Sequence, residues 1–324
     1  MSQLYPLTFQ PIFKERIWGG RNLERLYGKH LPPARPIGES WEISDRPDDV
    51  SVIANGAFAG RELHWLLENH RTDLLGDVPL AAGRFPLLIK LLDAQQKLSL
   101  QVHPPAAQAA KLRGDPKTEM WFVADAASGA ELYAGLKRGI SRTNFERQLA
   151  DGSVADCFHR VLVRAGDTMF LPSGRVHAIG AGLVIFEIQQ NSDTTYRVFD
   201  WNRVGLDGKL RELHLSQSLA SIDFNDFEPA LVKAEEIVAG NLSRRELVRD
   251  PLFTVEQYRV IDSGRVKLPA ARMQIIGVIR GEVRLPNVVV RAGGFCLLPA
   301  ALSQPEVVAA QPTEFLRIEA GPTN

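Results

Sequence analysis

The fold prediction starts from LSLQVHP, residues 98–104. Side chains alternate between the two faces of a strand, so Ser99, Gln101 and His103 share one face and the apolar residues share the other. The alternation predicts a strand with one face packed on a core. Its polar face offers an amide oxygen and an imidazole, which are suitable metal ligands.

Two further stretches complete this polar set. In KTEMWFV, residues 117–123, the side chains of Lys117, Glu119 and Trp121 share a face. In FLPSGRVH, residues 170–177, His177 follows a Pro/Gly turn. Two imidazoles, one carboxylate and one amide oxygen can hold a divalent ion, with open positions left for water or substrate. The sequence therefore predicts a metal site beside a lysine, with the ligands Gln101, His103, Glu119 and His177.

Short strand-like runs dominate the remainder of the chain, and Gly, Pro, Asn or Asp interrupts them. This pattern is typical of a β-sandwich or barrel. Predicted strands are 86–92, 98–103, 119–124, 160–163, 183–189, 252–260, 273–280 and 315–318. Helices are fewer, and apolar spacing predicts them at 61–75, 106–113, 141–150 and 213–222.

An internal repeat indicates two similar halves. The pattern V-x-V-R-A-G-x-x-x-x-L-P begins at Val161 and again at Val288, 127 residues later. It predicts a strand, a tight Gly turn, a second strand and a Pro stop, which together form a hairpin. Gln304 stands where the repeat would place His177, and no Lys-x-Glu motif precedes the second copy. The second half is therefore expected to lack a metal site.

Composition excludes several classes of protein. Among 324 residues, 38 basic and 38 acidic side chains give a formal net charge of zero. Without a basic stripe, nucleic acid is not an expected partner. No apolar run is long enough to span a membrane, and the first residues do not resemble a signal peptide. Cys157 and Cys296 are expected to be buried thiols of a cytoplasmic protein, although a disulfide stays open.

Several of these motifs resemble the type I phosphomannose isomerases, in particular their compact bacterial branch. The resemblance covers most of residues 1–225 and is weak beyond them. The matching stretches are Trp18–Gly20, Gly38–Ser44, Leu98–Pro104, Lys117–Trp121, Leu171–Gly182, Gln189–Arg197 and Asn191–Leu215.

The resemblance implies a mainly β double cupin with helical segments. Residues 1–245 would form the metal-binding catalytic cupin, and residues 246–324 a cupin-like domain without metal. The implied cofactor is one Zn²⁺ per chain, and its implied ligands fall on Gln101, His103, Glu119 and His177.

The resemblance also implies roles for other residues. An implied catalytic arginine falls on Arg197, and an implied base falls on Glu187, with Lys117 as its rival. Ser99 and Lys117 fall on positions that line the substrate site. This chain departs from the family pattern at Pro105-Ala106 and at Asp115-Pro116, which affects loops beside the site rather than the ligands.

The implied reaction interconverts mannose 6-phosphate and fructose 6-phosphate through an enediol or enediolate. Two other classes stay open at this point. Two His and a carboxylate also bind iron in non-haem oxygenases, and a cupin can bind a sugar without turnover. The sequence does not determine the native metal, the proton carrier, the pathway served, or whether the chain is a monomer or a homodimer.

Overall fold

The computed structural model describes residues 4–321 and is built mainly from strands. The first half of the chain contributes thirteen of the strands found within these residues. In chain order they are β1 (Ile12–Gly20), β2 (Ile37–Ile43), β3 (Asp45–Arg46), β4 (Asp49–Val50), β5 (Leu87–Ala94), β6 (Leu100–Val102), β7 (Glu119–Ala126), β8 (Glu131–Leu136), β9 (Phe158–Leu162), β10 (Thr168–Leu171), β11 (His177–Ile179), β12 (Leu183–Gln190) and β13 (Tyr196–Phe199).

The second half continues with shorter connections between its strands. They are β14 (Glu236–Ala239), β15 (Leu242–Arg249), β16 (Phe253–Val260), β17 (Gly264–Lys267), β18 (Gln274–Arg280), β19 (Glu282–Leu285), β20 (Val288–Arg291), β21 (Phe295–Leu298), β22 (Glu306–Ala309) and β23 (Thr313–Ala320). The α-helices are α1 (Asn22–Tyr27), α2 (Leu63–Leu75), α3 (Ala106–Ala109), α4 (Arg142–Asp151) and α5 (Leu215–Ser221), with 3₁₀ turns at Gly56–Phe58 and Val154–Cys157. The predicted helices form, and the one predicted over residues 106–113 is shorter than expected.

Two barrels of the same topology result. The first has a six-stranded sheet of order β1-β2-β5-β12-β7-β10 and a five-stranded sheet of order β13-β6-β11-β8-β9. The second repeats this order in a six-stranded sheet, β14-β15-β16-β23-β18-β21, and in a four-stranded sheet, β17-β22-β19-β20, which has one strand fewer than its counterpart. The mainly β, cupin-like fold class is thus confirmed, and the sequence repeat corresponds to a repeat in structure.

The repeated motif is a corner between sheets, so the predicted hairpin is wrong. In the first copy β9 belongs to the five-stranded sheet and β10 to the six-stranded one, and β20 and β21 are divided in the same way. Gly166 and Gly293 turn the chain with φ of 93° and 75°, a region that glycine enters without strain. Their N–H groups donate to Val123 O and Val278 O, both at 2.8 Å. The motif therefore closes each barrel by carrying the chain across it.

The two six-stranded sheets pack together through their apolar outer faces. One buried cluster combines residues of the first barrel, such as Ile89 and Phe186, with residues of the second, such as Phe295 and Ile318. The rings of Phe186 and Phe295 have centroids 5.4 Å apart. Both sheets are thus covered on the side that faces the other barrel, which leaves each barrel interior available for polar groups.

The predicted division between residues 245 and 246 falls inside β15. Because the strands of the second barrel begin at Glu236, we propose that any division into domains lies before β14. Cys157 and Cys296 are both buried free thiols, as expected. The prediction that the first residues do not form a signal peptide includes residues 1–3, which lie outside the described residues. Within 4–321, no helix is long and apolar enough to cross a membrane.

Candidate metal centre and substrate pocket

Three of the predicted ligands meet inside the first barrel. His103 follows β6, Glu119 begins β7 and His177 begins β11. Their candidate ligand atoms all lie within 4.8 Å of one another, and none of the three residues is more than 1% exposed. Oε2 of Glu119 lies 3.5 Å from His103 Nε2, and Oε1 of Glu119 lies 3.4 Å from His177 Nε2. The strands therefore place two imidazoles around one carboxylate.

Backbone contacts fix the orientation of both imidazoles. His103 Nδ1 lies 2.8 Å from Thr194 O, and His177 Nδ1 lies 2.9 Å from Arg175 O. Each Nδ1–H can donate to its carbonyl, so each Nε2 keeps its lone pair for the cluster. Histidine ligands of metals commonly donate their other N–H in this way.

Unsatisfied buried atoms show that a divalent ion fits this cluster. Within residues 4–321, His103 Nε2 and both carboxylate oxygens of Glu119 make no hydrogen bond with ordinary geometry, although Lys117 Nζ lies 2.8 Å from one of these oxygens. Orphaned buried polar atoms are rare in folded proteins and indicate an unseen partner such as an ion. A divalent ion would satisfy all three atoms at once.

The protonation of the cluster is also suitable for binding a metal. Burial and the Lys117 ammonium lower the pKa of His103 to about 3, and burial lowers the pKa of His177. Burial alone would raise the pKa of Glu119, but Lys117 and His103 outweigh it and hold this pKa well below its usual value. Metal ligands must be neutral imidazoles and ionised carboxylates, and the barrel interior favours both forms.

Gln101 lies beside the cluster, and its role as a ligand stays a prediction. It pairs with His177 across β6 and β11, and its Nε2 lies 3.2 Å from His177 Nε2. Its Oε1 lies 3.4 Å from Ser99 Oγ. The oxygen of a ligand would have to face the ion, which a rotation of the terminal amide would achieve.

A pocket of about 650 Å³ opens beside the cluster and collects the other predicted site residues. Its walls include all five of the residues Ser99, Gln101, Lys117, Glu187 and Arg197. The strand faces, which selected Ser99, Gln101 and Lys117, and the family resemblance, which selected Glu187 and Arg197, thus led to residues that share one cavity. Its volume is in the usual range for small-molecule sites.

The carboxylate of Glu187 has a partner at each of its two oxygens. Lys90 Nζ lies 3.0 Å from its Oε2, and the indole N–H of Trp121 donates to its Oε1 at 2.9 Å. Lys90, on β5, is a pocket residue that sequence reasoning missed. In its stretch, LLIKLLDA, the lysine has two apolar residues on each side, and a charge in this position was the available signal. The carboxylate is thereby fixed in place at the pocket wall.

Lys117 stands between Glu119 and the pocket. Burial alone would lower the pKa of this ammonium, but the carboxylates of Glu119 and Glu187 outweigh that effect and raise it. Further along the sheet, Arg16 and Lys90 outweigh the effect of burial on Glu39 and lower its pKa to about 2. Positive and negative side chains thus alternate across the pocket wall.

Arg197 faces the same cavity from β13, where it pairs with Gln101. An ion pair with Asp193 or Asp200 would give Arg197 a purely structural role. Instead, Asp193 pairs with Arg46, and Asp200 pairs with Arg203 and Arg211. Nη1 of Arg197 donates to Glu212 O at 2.7 Å, while its buried Nε has no hydrogen-bond partner in the described part of the chain.

A cupin-like enzyme with a candidate metal site in one of its two barrels is the class that this fold and cluster define. The comparisons with known proteins identify a family within this class. Residues 7–121 match the family described as phosphomannose isomerase type I, catalytic domain. The chain is 37% identical over 300 residues to mannose-6-phosphate isomerase of Streptococcus mutans, covering 91% of this chain and 92% of that protein. The chain belongs to the type I phosphomannose isomerases, and the predicted resemblance is confirmed.

Other relatives agree with this membership. Mannose-6-phosphate isomerase ManA of Bacillus subtilis is 39% identical over 86% of this chain and 87% of its own length. The crystal structure of mannose 6-phosphate isomerase from Bacillus subtilis superimposes with a TM-score of 0.88 at 29% identity, covering 97% of this chain and 99% of that one. A phosphomannose isomerase variant from Salmonella typhimurium, at 17% identity and a TM-score of 0.75, shares the fold.

Proposed function

We propose that this protein is a metal-dependent aldose–ketose isomerase that interconverts mannose 6-phosphate and fructose 6-phosphate. The observation that carries the proposal is the buried cluster of His103, Glu119 and His177, which lies beside a pocket with charged walls, next to the lining residues Gln101 and Lys117. Membership in the family supports the choice of substrates, because the relatives are named for mannose 6-phosphate.

The proposed cofactor is one Zn²⁺ per chain, held by His103, Glu119, His177 and Gln101. A divalent ion bound there would act as a Lewis acid toward the sugar oxygens. The choice of zinc rests on the resemblance and on imidazole and carboxylate donors, which also suit other divalent ions.

The remaining roles belong to groups that the pocket fixes. Glu187, held by Lys90 and Trp121, is the proposed base that moves a proton between C1 and C2 of the sugar. Arg197, with its unpartnered Nε, would stabilise the negative charge that develops on the sugar oxygens. Lys117 and Ser99 would donate hydrogen bonds to the substrate. Lys117 stays the alternative proton carrier.

The two competing functions have less support. A non-haem iron oxygenase would also use two His and a carboxylate, but its substrate would not require the charged wall of Lys90, Glu187 and Arg197. A sugar-binding module without turnover would not require a fixed carboxylate beside the metal. The cytoplasmic location and the state of monomer or homodimer stay predictions.

The test is incubation of mannose 6-phosphate with the metal-loaded protein in deuterated water, followed by NMR. We expect conversion to fructose 6-phosphate with deuterium at the carbon that gains the proton. Oxygen uptake in place of isomerisation would indicate the oxygenase. Binding without conversion or exchange would indicate the sugar-binding module.

A further inference from the structure

The corner that closes each barrel carries an aspartate in the first copy of the repeat and a glycine in the second. The offset of 127 residues aligns Asp167 with Gly294. In the first barrel, Oδ2 of Asp167 accepts a hydrogen bond from the backbone N–H of Arg164 at 2.9 Å. Gly294 has no side chain to make the same contact. The second corner therefore lacks the carboxylate that caps the first.

The backbone N–H of Arg291, the equivalent of Arg164, has no strand partner on its own side. Residues 286 and 287 join β19 to β20, and Leu285 pairs with Val288 across this turn. That closing pair is hydrogen-bonded in a two-residue hairpin, and N–H directions alternate along a strand, so Arg291 directs its N–H away from β19. Because β20 is the edge strand of its sheet, this donor points to the place where Gly294 lacks a carboxylate.

A cavity of about 440 Å³ opens at this corner, where the two barrels meet. It is hereafter the corner site, and its walls are Pro11, Phe13, residues 27–30 and residues 291–294. The rings of Phe13 and Tyr27 pack against the apolar cluster between the barrels. A Cβ atom added to Gly28 would meet no other atom within 4 Å, which shows the open space there. The volume is in the range of small-molecule sites.

The ionisable side chains that line the corner site include two cations and no carboxylate. Lys29 and Arg291 line it together with His30, and no acidic residue of the described part of the chain does so. Lys29 Nζ lies 2.7 Å from Glu42 Oε1, and Arg291 Nε lies 3.3 Å from Glu282 Oε2. An ammonium has three donors and a guanidinium has five, so both cations keep donors for a further partner. The charge of the site is therefore complementary to an anion.

We propose that the corner site binds a small aromatic carboxylic acid. Its carboxylate would take the place that Asp167 fills in the first barrel, accepting from the backbone N–H of Arg291 and pairing with the cations. Its ring would lie against Phe13 and Tyr27, where burial of apolar surface stabilises it. An inorganic anion would leave these rings uncovered. The proposal does not depend on the isomerase reaction, because no residue of the corner site lines the catalytic pocket.

The test is titration calorimetry of the metal-loaded protein with phenylacetate. Acetate, which lacks the ring, and 2-phenylethanol, which lacks the charge, are the comparison probes. We expect one phenylacetate per chain, and binding of either comparison probe should be weaker by about tenfold or more, since each loses apolar burial or charged hydrogen bonds. Absence of saturable phenylacetate binding would overturn the proposal.

A carboxylate could also bind at the metal, so the position of the ligand needs its own control. His177→Ala removes a metal ligand from the other site and should bind phenylacetate with an affinity within about twofold of the wild type, because distant sites act independently. Loss of phenylacetate binding in this variant would assign the ligand to the metal and overturn the proposal.

Gly294→Asp supplies the missing carboxylate from within the chain. Gly294 is not one of the glycines with a positive φ, so an aspartate there has no left-handed backbone to adopt. The new carboxylate would compete at a high effective concentration and should weaken phenylacetate binding by about tenfold or more. Wild-type affinity in the folded variant would contradict the proposed position of the carboxylate.

Two arginines on neighbouring strands provide a matched pair that leaves the backbone of the corner unchanged. Arg291 and Arg284 both pair with Glu282, at 3.3 and 3.1 Å, but Arg284 does not line the corner site. Arg291→Met should weaken phenylacetate binding by about three- to tenfold, because its side chain is exposed while its N–H remains. Arg284→Met should stay within about twofold of the wild type. An equal loss in both variants, or no loss in Arg291→Met, would overturn the proposal.

Discussion

The interiors of the two barrels place opposite charges at equivalent positions. In the first barrel Lys90 on β5 pairs with Glu187 on β12. The equivalent strands of the second barrel, β16 and β23, pair Glu256 with Arg317. The same topology thus supports a buried ion pair in either direction.

The two barrels also differ at the position of the metal-cluster carboxylate. The repeat makes Leu171 and Leu298 equivalent, and their strand partners are Glu119 in the first barrel and Gln274 in the second. Arg317 Nε donates to Gln274 Oε1 at 2.6 Å, and the same guanidinium also contacts Glu256 and Glu319.

One fold can thus enclose either a set of charges that satisfy one another or a candidate site for an ion. The second barrel satisfies its buried carboxylates with a guanidinium of its own, so it has no need of an ion. The first leaves His103 Nε2 and both oxygens of Glu119 without hydrogen bonds in the part of the chain that the structure describes. Buried charges require partners in both cases, but only the first barrel leaves a place for an external one.

The largest expected effect follows from removing the carboxylate of the first barrel. Glu119→Gln should lose the metal and lower kcat/KM by about 1,000-fold or more, since an ion that polarises substrate oxygens contributes several kcal/mol. Metal analysis and steady-state kinetics measure both. The reciprocal change in the second barrel, Gln274→Glu, should create no second site because no His faces it. A metal-free Glu119→Gln protein with wild-type activity would contradict the account.

The second prediction concerns the guanidinium of the second barrel. Arg317→Met leaves Glu319 buried without its cation and leaves Glu256 with Arg244 alone, so the free energy of unfolding should fall by about 3 kcal/mol. Urea unfolding measures the change. Metal content and kcat/KM of the folded variant should stay within about threefold of the wild type, because the site lies in the other barrel. Loss of the metal in this variant would show that the barrels are not separate in function.

Acid should destabilise the first barrel by protonating Glu39. Arg16 and Lys90 outweigh burial and lower its pKa to about 2. The pKa of Glu39 is lower in the folded state than in the unfolded state. Its ionised carboxylate therefore stabilises the folded protein above about pH 4.5, and this contribution is lost as the pH falls toward 2. It amounts to about 3 kcal/mol. Glu39→Gln should remove this part of the pH dependence of unfolding, and an unchanged acid profile would contradict it.

The smallest of these effects is expected at Arg197. Arg197→Ala should lower kcat/KM by about 100-fold, or about 2.7 kcal/mol, the range for removing one charged donor from a transition state. Metal content should stay normal because the side chain is not a ligand. Wild-type kinetics would assign Arg197 a structural role.

Much of the fold was predictable because strands of the first barrel carry polar residues on one face and apolar residues on the other. The stretch at residues 98–104 indicated both a strand and the ligands on its inner face. The repeat at Val161 and Val288 predicted two similar halves. Its strands were wrongly paired as a hairpin, because a glycine with positive φ suits a hairpin and a corner between sheets equally well.

The charged partners in the pocket were less predictable. Lys90 pairs with Glu187, which lies 97 residues further along the chain, and only strand order brings them together. The charge reversal between the barrels depends on the same register, which the sequence does not reveal. Arg211 also lines the pocket, but it lies between β13 and α5 in a stretch without a regular helix or strand, so spacing gave no indication of its position.

Metal stoichiometry tests the central claim most directly. The account predicts one tightly bound divalent ion per chain in the wild type, one in Arg317→Met and none in His177→Ala, as measured by elemental analysis of dialysed protein. Two ions per wild-type chain, or one ion retained in His177→Ala, would contradict the assignment of the metal to the first barrel.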